Sequence, residues 1–224
     1  MKGTKLYEIL QSLSVYEWNR LSKFMQSPYL NEDAKMMKLY AFLLPHLKDQ
    51  TLDTLEREKI WKHIYGSQPI TNLKYARLLS DLTKRVESFI SLEKMRAAPN
   101  ANLVLLQVYN EKRLDAHFSE PFELALKRLE KQPFRDSDFY FHRFQLNAQQ
   151  NIYLENKQQR TTEKNLQQTI ENLDVFYLIE KMRYSAAVLH YKNFLTLKDE
   201  NIFFAEILQH LAKNPYPHIP VINI

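Results

Sequence analysis

Glycine is almost absent from this chain: only Gly3 and Gly66 occur among its 224 residues. Sheet proteins use glycine in tight hairpin turns, and nucleotide-binding loops use it where the backbone approaches a phosphate. One glycine is near the first residue and the other is isolated, so a P-loop and a dinucleotide-binding fingerprint are excluded. Strong helix formers such as Leu, Lys, Glu and Gln are abundant. We therefore predict an all-α fold without sheet, about three-quarters helical where globular proteins average about one-third.

The chain also lacks cysteine, which rules out disulfides, thiol nucleophiles and cysteine-ligated metal sites. A cysteine-free chain suits a reducing compartment, and we expect a cytoplasmic protein. Glu8 and Glu17 interrupt any apolar stretch after the first lysines, which argues against a signal peptide. The longest aliphatic run, Leu103 to Leu106, is far shorter than the ~20 residues of a membrane-spanning helix. No membrane partner is expected.

Charge and proline positions divide the chain into two predicted domains. Residues 1–98 hold 16 Lys and Arg against 11 Asp and Glu, whereas residues 99–224 hold 15 of each kind. We predict an N-terminal basic helical bundle at 1–98 and stacked helical hairpins at 99–224. Pro99 and Pro133 are 34 positions apart, the length of a tetratricopeptide unit. The second part is therefore expected to be a tetratricopeptide-like array.

Helix boundaries in the first domain follow from capping residues. Ser14 and Glu17 form a capping-box pattern at the start of the second helix. Asn31 is expected to cap the third helix, and Pro45 together with the polar stretch from Lys48 to Thr51 is expected to end it. Gly66 stands where a helix ends in a left-handed residue. The next helix runs from Thr71 to Pro99 and has the best apolar stripe of the sequence, and we expect its Leu82, together with Trp18 and Trp61, to be buried.

The C-terminal segment combines prolines with apolar residues. Asp199 is expected to cap the last helix, after which Pro215, Pro217 and Pro220 prevent a further helical run. The residues that follow are nevertheless apolar, whereas a free tail is usually polar. We expect either that the chain is truncated at its C-terminus and continues into a longer array, or that this tail docks on its own last helices or on a neighbouring molecule.

Four segments carry a resemblance to a known group of proteins. The stretches 13–18 and 27–31 resemble the opening of certain uncharacterised bacterial helical proteins, and 77–82 and 165–183 are similar to the same group. The resemblance covers most of the chain and implies a tetratricopeptide-like all-α architecture. It implies no activity, cofactor or functional residue.

Residues 54–96 resemble two helices of a winged helix-turn-helix, although no glycine-turned hairpin follows to form the wing. In this interpretation the second helix contacts DNA or RNA through polar and basic residues, namely Asn72, Lys74, Tyr75, Arg77, Lys84 and Arg85. A surface ladder of salt bridges through Asp81 explains the same charges without a ligand. A nucleic-acid-contacting regulator is therefore kept as the alternative function.

Residues 147–172 contain 11 Asn and Gln among 26. Such amides line the concave faces of helical arrays, where they bind the backbone of a peptide; a solvated helix end explains them equally. The candidate partner-binding residues are Asn147, Gln150, Asn151 and Gln158. No metal-binding, cofactor-binding or catalytic pattern occurs among the seven histidines. We therefore expect a non-enzymatic module that binds another protein or peptide.

Overall fold

The computed structural model describes residues 1–98, 100–157, 163–191, 202–217, 219 and 222. In these ranges 77% of the residues are helical and no strand occurs, which confirms the all-α prediction. The ten α-helices of the described ranges fall into two compact units, residues 1–97 and residues 98–224. None of these helices is both long and apolar enough to cross a membrane.

The first unit consists of five helices around one apolar core. They are α1 (Lys5–Ser12), α2 (Val15–Gln26), α3 (Ala34–Lys48), α4 (Arg57–Tyr65) and α5 (Asn72–Ala97). The long α5 packs against α1, α2 and α3, while α4 packs against α3. Leu82, in the middle of α5, is fully buried, and Trp18 and Trp61 are also buried. This confirms the predicted core positions.

Local capping signals set several of these boundaries as predicted. The Ser14 hydroxyl oxygen accepts a hydrogen bond from the Glu17 amide at 3.3 Å, and the Ser14 amide donates to the Glu17 carboxylate at 2.8 Å. The Ser14 hydroxyl also donates to the Glu17 carboxylate, at 2.7 Å, and the two bonds that this carboxylate accepts, first from the hydroxyl and then from the amide of Ser14, lower the pKa of Glu17. At the end of α4, Gly66 adopts a φ of 65° and its amide donates to the Lys62 carbonyl oxygen, the left-handed conformation that glycine adopts without steric cost.

The predicted N-cap of α3 is wrong. Asp33, not Asn31, is the N-cap, and its carboxylate accepts from the Lys35 amide at 2.8 Å. Asn31 is buried and instead donates to the Met25 carbonyl oxygen at 2.8 Å. α3, whose last turn carries the buried core residue Leu47, continues past Pro45 and ends at Lys48, where the predicted polar stretch begins.

The second unit also consists of five helices. They are α6 (Leu103–Glu111), α7 (Ser119–Glu130), α8 (Ser137–Asn156), α9 (Glu163–Tyr191) and α10 (Phe204–Lys213). One apolar cluster joins α6, α7 and α8. A second joins α9 and α10 to Ile219 and Ile222 of the C-terminal segment. Ile219 and Ile222 therefore pack on the last helices of their own chain.

The last helix begins later than the sequence indicates. α10 starts at Phe204, after Phe203 in a left-handed conformation with a φ of 64° and with its ring exposed. The predicted cap, Asp199, lies outside the described residues. Ile207 and Leu211 are the α10 side chains that reach the core.

Candidate functional site

A groove of about 660 Å³ lies between α2 and α5 in the first unit. The α2 side of the groove is one helical face, because its lining residues are spaced by three or four positions. These residues are Tyr16, Asn19, Arg20, Lys23 and Ser27. The capping box at Ser14 fixes the first turn of α2 and thereby the direction in which this face points.

The floor of the groove is apolar. Phe24 of α2 and Phe89 of α5 meet edge to face, with ring centroids 5.7 Å apart, a favourable arrangement of two aromatic rings. Both rings are buried, and the half-buried Leu30 and Leu92 extend the floor on either side. The floor therefore presents apolar surface to the groove.

The rim of the groove carries an excess of positive charge. Arg20 of α2 donates to the carboxylate of Glu93 on α5 at 2.9 Å, and this pair connects the two walls. Arg96 lies 3.9 Å from the same carboxylate. Lys23 is exposed and has no ion-pair partner among the described residues. The groove lining thus carries three cationic side chains and one carboxylate, and the rim can accept further negative charge.

The six residues predicted to contact nucleic acid do not form one exposed surface. Asn72, Lys74 and Arg77 are exposed on the first turns of α5. Lys84 is also exposed, and its Nζ atom lies 3.8 Å from Oδ1 of Asp81. This ion pair is one that the surface ladder of salt bridges through Asp81 predicts. The Arg85 guanidinium donates to the Leu30 carbonyl oxygen at 3.1 Å and therefore ties α5 to the loop before α3.

Tyr75 is the sixth residue of that set and is half-buried. The Arg57 guanidinium lies over its ring, 4.8 Å from the centroid. Burial raises the pKa of Tyr75, although the charge of Arg57 opposes the increase. Its hydroxyl oxygen is buried and has no hydrogen-bond partner among the described residues. The ring of Tyr75 therefore packs against Arg57 of α4.

The amides predicted to bind a partner lie mostly inside the second unit. Asn147 and Asn151 are buried, and the Asn151 amide donates to the Thr169 hydroxyl of α9 at 3.0 Å. Gln150 is half-buried. Gln158 lies outside the described residues. In this packing Asn147 and Asn151 are placed to join α8 to its neighbours rather than to line an open surface.

A buried polar layer extends from these amides to α6. The Asn110 side chain of α6 donates to the backbone and side-chain oxygens of Gln149 at 3.0 and 2.9 Å. The Oδ1 atoms of Asn110 and Asn151 and the Nδ2 atom of Asn147 are buried without a hydrogen-bond partner among the described residues. This layer couples α8 to both α6 and α9.

The groove was not identified from the sequence. Arg20 and Glu93 are 73 positions apart, and no spacing rule connects residues on separate helices. The only available signal was the local one, a polar and basic face on α2 beside its apolar stripe. Among the described residues, no group of three His, Asp or Glu side chains could hold a metal ion. Comparisons with protein-family models, curated proteins and solved structures give no match.

Proposed function

We propose that this chain is a non-enzymatic binding module and that the groove between α2 and α5 receives an acidic segment of another protein. The observation that supports the proposal is the combination of an apolar floor with a cationic rim. Pockets of about 300–1,000 Å³ with apolar walls and a few polar groups are typical ligand sites, and the groove has a volume of about 660 Å³.

The groove chemistry favours one kind of peptide. An aromatic or aliphatic side chain would bury apolar surface against Phe24 and Phe89, which contributes about 25 cal/mol per Å². Asp or Glu residues on either side of that anchor would lie near Lys23 and Arg96. Opposite charges at the rim accelerate association and determine the orientation of the bound segment.

The groove lining also argues for binding rather than catalysis. Glu93 is the single carboxylate among the described lining residues, and it is held by Arg20. Acid–base catalysis requires a group that exchanges a proton near neutral pH, and a carboxylate fixed in an ion pair is poorly suited to this. The lining instead offers fixed charge and apolar surface.

The second unit supports a helical-hairpin architecture of tetratricopeptide-like type, which we include in the proposal. α6 packs against α7, α8 packs against α9, and α6 also contacts α8. α7 also packs against α8, so both helices of the first hairpin contact the second, as neighbouring repeats do in helical arrays.

A peptide selection tests the proposed groove. A random-peptide library is selected on the immobilised whole chain, and an enriched peptide is measured by fluorescence anisotropy. We expect peptides with Asp or Glu flanking one aromatic or aliphatic residue. The double variant Lys23→Glu/Arg96→Glu should bind such a peptide at least tenfold more weakly.

The matched control is Lys2→Glu/Lys38→Glu, which makes the same change of net charge at exposed lysines outside the groove. It should bind the peptide as the wild type does, apart from a small effect of net charge that added salt screens. Equal loss of binding in both double variants, or enrichment of basic peptides, would contradict the proposed groove.

The alternative function, a regulator that contacts DNA or RNA, now rests on Asn72, Lys74 and Arg77 at the start of α5. Titration with a random duplex at two salt concentrations distinguishes the two functions, because phosphate contacts give a strongly salt-dependent affinity. Salt-sensitive duplex binding that Lys74→Glu/Arg77→Glu abolishes would favour the alternative. We expect the duplex to bind weakly and this double variant to leave peptide binding unchanged.

A further inference from the structure

Helix α9 has apolar residues on two opposite faces. One face is buried: Val175, Leu178 and Ile179 pack in the cluster that contains α10 and the C-terminal segment. The opposite face is solvent-exposed and carries six large apolar side chains, each between 41% and 61% exposed. These are Leu166, Ile170, Leu173, Tyr177, Tyr184 and Tyr191. An exposed apolar surface of this extent marks an interaction site in a folded protein.

The exposed residues follow a seven-residue repeat. Their spacing alternates between four and three positions, and Glu180 and Ala187 occupy the two remaining positions of the series. A repeat of 3.5 residues per turn is the pattern by which two long helices pack along their whole length. α9 has 29 residues, which at about 1.5 Å per residue gives a helix of about 44 Å. We refer to these eight positions, from Leu166 to Tyr191, as the outer stripe.

We propose that two copies of this chain associate through the outer stripe, with their α9 helices antiparallel. When the helices cross midway between Tyr177 and Glu180, each large residue meets a complementary one. Ile170 lies opposite Ala187 of the second copy, and Leu173 lies opposite Tyr184. At the centre, the Tyr177 hydroxyl lies opposite Glu180 of the second copy and can donate to its carboxylate, which also accepts from Arg183 of its own helix.

Charges beside the stripe favour the same arrangement. Asp174 and Lys181 lie on one edge of the outer stripe, two helical turns apart, and neither has an ion-pair partner among the described residues. In the antiparallel pair, Asp174 of each copy faces Lys181 of the other, so two ion pairs form across the interface. Flanking charges of this kind determine partner and orientation in paired helices.

A parallel pair would be unfavourable. It places Glu180 against Glu180 inside the apolar seam, where each carboxylate keeps, among the described residues, only the Arg183 of its own helix as a partner and lies against a like charge. It also leaves Asp174 and Lys181 without opposite charges across the interface. The sequence of α9 is therefore complementary to itself in the antiparallel direction only.

Sedimentation equilibrium of the whole chain over a wide concentration range tests the association. We expect a reversible monomer–dimer equilibrium. Leu173→Lys places a charge in the seam and should raise the dimer dissociation constant at least tenfold. The matched control is Leu124→Lys on α7, a leucine of nearly equal exposure (44% against 41%), which should leave the equilibrium unchanged.

Charge exchange tests the orientation. Asp174→Lys and Lys181→Asp should each weaken the dimer, because each places two pairs of like charges at the interface. The double variant Asp174→Lys/Lys181→Asp should restore it, since the opposite pairs are present again. Failure of the double variant to recover the affinity of the wild type would overturn the antiparallel arrangement.

The absence of cysteine from the sequence allows a direct test by cross-linking. A mixture of Ile170→Cys and Ala187→Cys chains should form a disulfide-linked dimer under mild oxidation, whereas either variant alone should not. Cross-linking of Ile170→Cys with itself would show a parallel pair. A chain that stays monomeric at all concentrations, or a dimer insensitive to Leu173→Lys, would overturn the proposal altogether.

Discussion

Replacing Leu82 with alanine is the most direct test of the first unit, because α5 packs against three other helices and Leu82 is fully buried among them. The substitution removes three carbon atoms, each worth about 0.8 kcal/mol when buried. The cavity left behind adds about 24 cal/mol per Å³ where the surroundings do not collapse. We therefore expect Leu82→Ala to lower the free energy of unfolding by about 3 kcal/mol.

The assay is denaturant unfolding followed by tryptophan fluorescence. Both tryptophans of the chain, Trp18 and Trp61, are buried in the first unit, so their emission reports on that unit alone. Leu73→Ala is the matched control, since Leu73 is on the same helix but 82% exposed. It should change the stability by no more than about 0.5 kcal/mol. A loss below about 1 kcal/mol in Leu82→Ala, or equal losses in both variants, would refute the assigned core face of α5.

Three further predictions concern the Ser14 cap of α2, His142 of α8 and the C-terminal segment. Ser14→Ala should lower the free energy of unfolding by about 1 kcal/mol in the same fluorescence assay, and the control Ser91→Ala should not change it measurably. The difference between the two variants should shrink in acid, because the pKa of Glu17 is lowered in the folded chain and its contribution to stability is lost as the pH falls. Burial lowers the pKa of His142, so below pH about 6.5 the unfolded chain binds more protons than the folded chain. Thermal melts by circular dichroism should therefore show lower stability at pH 5 than at pH 7. The difference in stability between the two pH values should be smaller in His142→Gln. Ile219→Ala should accelerate hydrogen exchange in α10, which its side chain helps to cover, whereas Phe203→Ala should leave exchange unchanged because that ring is exposed.

The features predicted correctly are those with causes close together in the sequence. The capping box of Ser14 and Glu17 and the left-handed Gly66 each depend on a few neighbouring residues, and both occur as predicted. The cap of α3 was mispredicted because Asn31 and Asp33 are both suitable caps. What decides between them is a tertiary contact, the hydrogen bond from Asn31 to the Met25 carbonyl oxygen.

The candidate site was beyond sequence reasoning for a related reason. The groove depends on Arg20 and Glu93 meeting across two helices, and single-sequence patterns describe one helix at a time. The burial of part of the amide-rich stretch also depends on contacts between helices. Polar residues are usually exposed, but Asn147 and Asn151 are buried because α8 packs closely against both α6 and α9.

The buried polar layer on α8 also determines how two long helices align. α8 and α9 have 20 and 29 residues, and apolar contacts alone would let such helices slide past each other by one turn, about 5.4 Å, at little cost. After such a slip, Asn151 would lose the Thr169 hydroxyl, and its amide would stay buried without a partner. A buried polar group without a hydrogen-bond partner lowers the stability of the fold by about 1–3 kcal/mol. Burying Asn151 gives less packing energy than an apolar residue would, but it makes one register of α8 and α9 more stable than the others, as a buried asparagine does in paired helices.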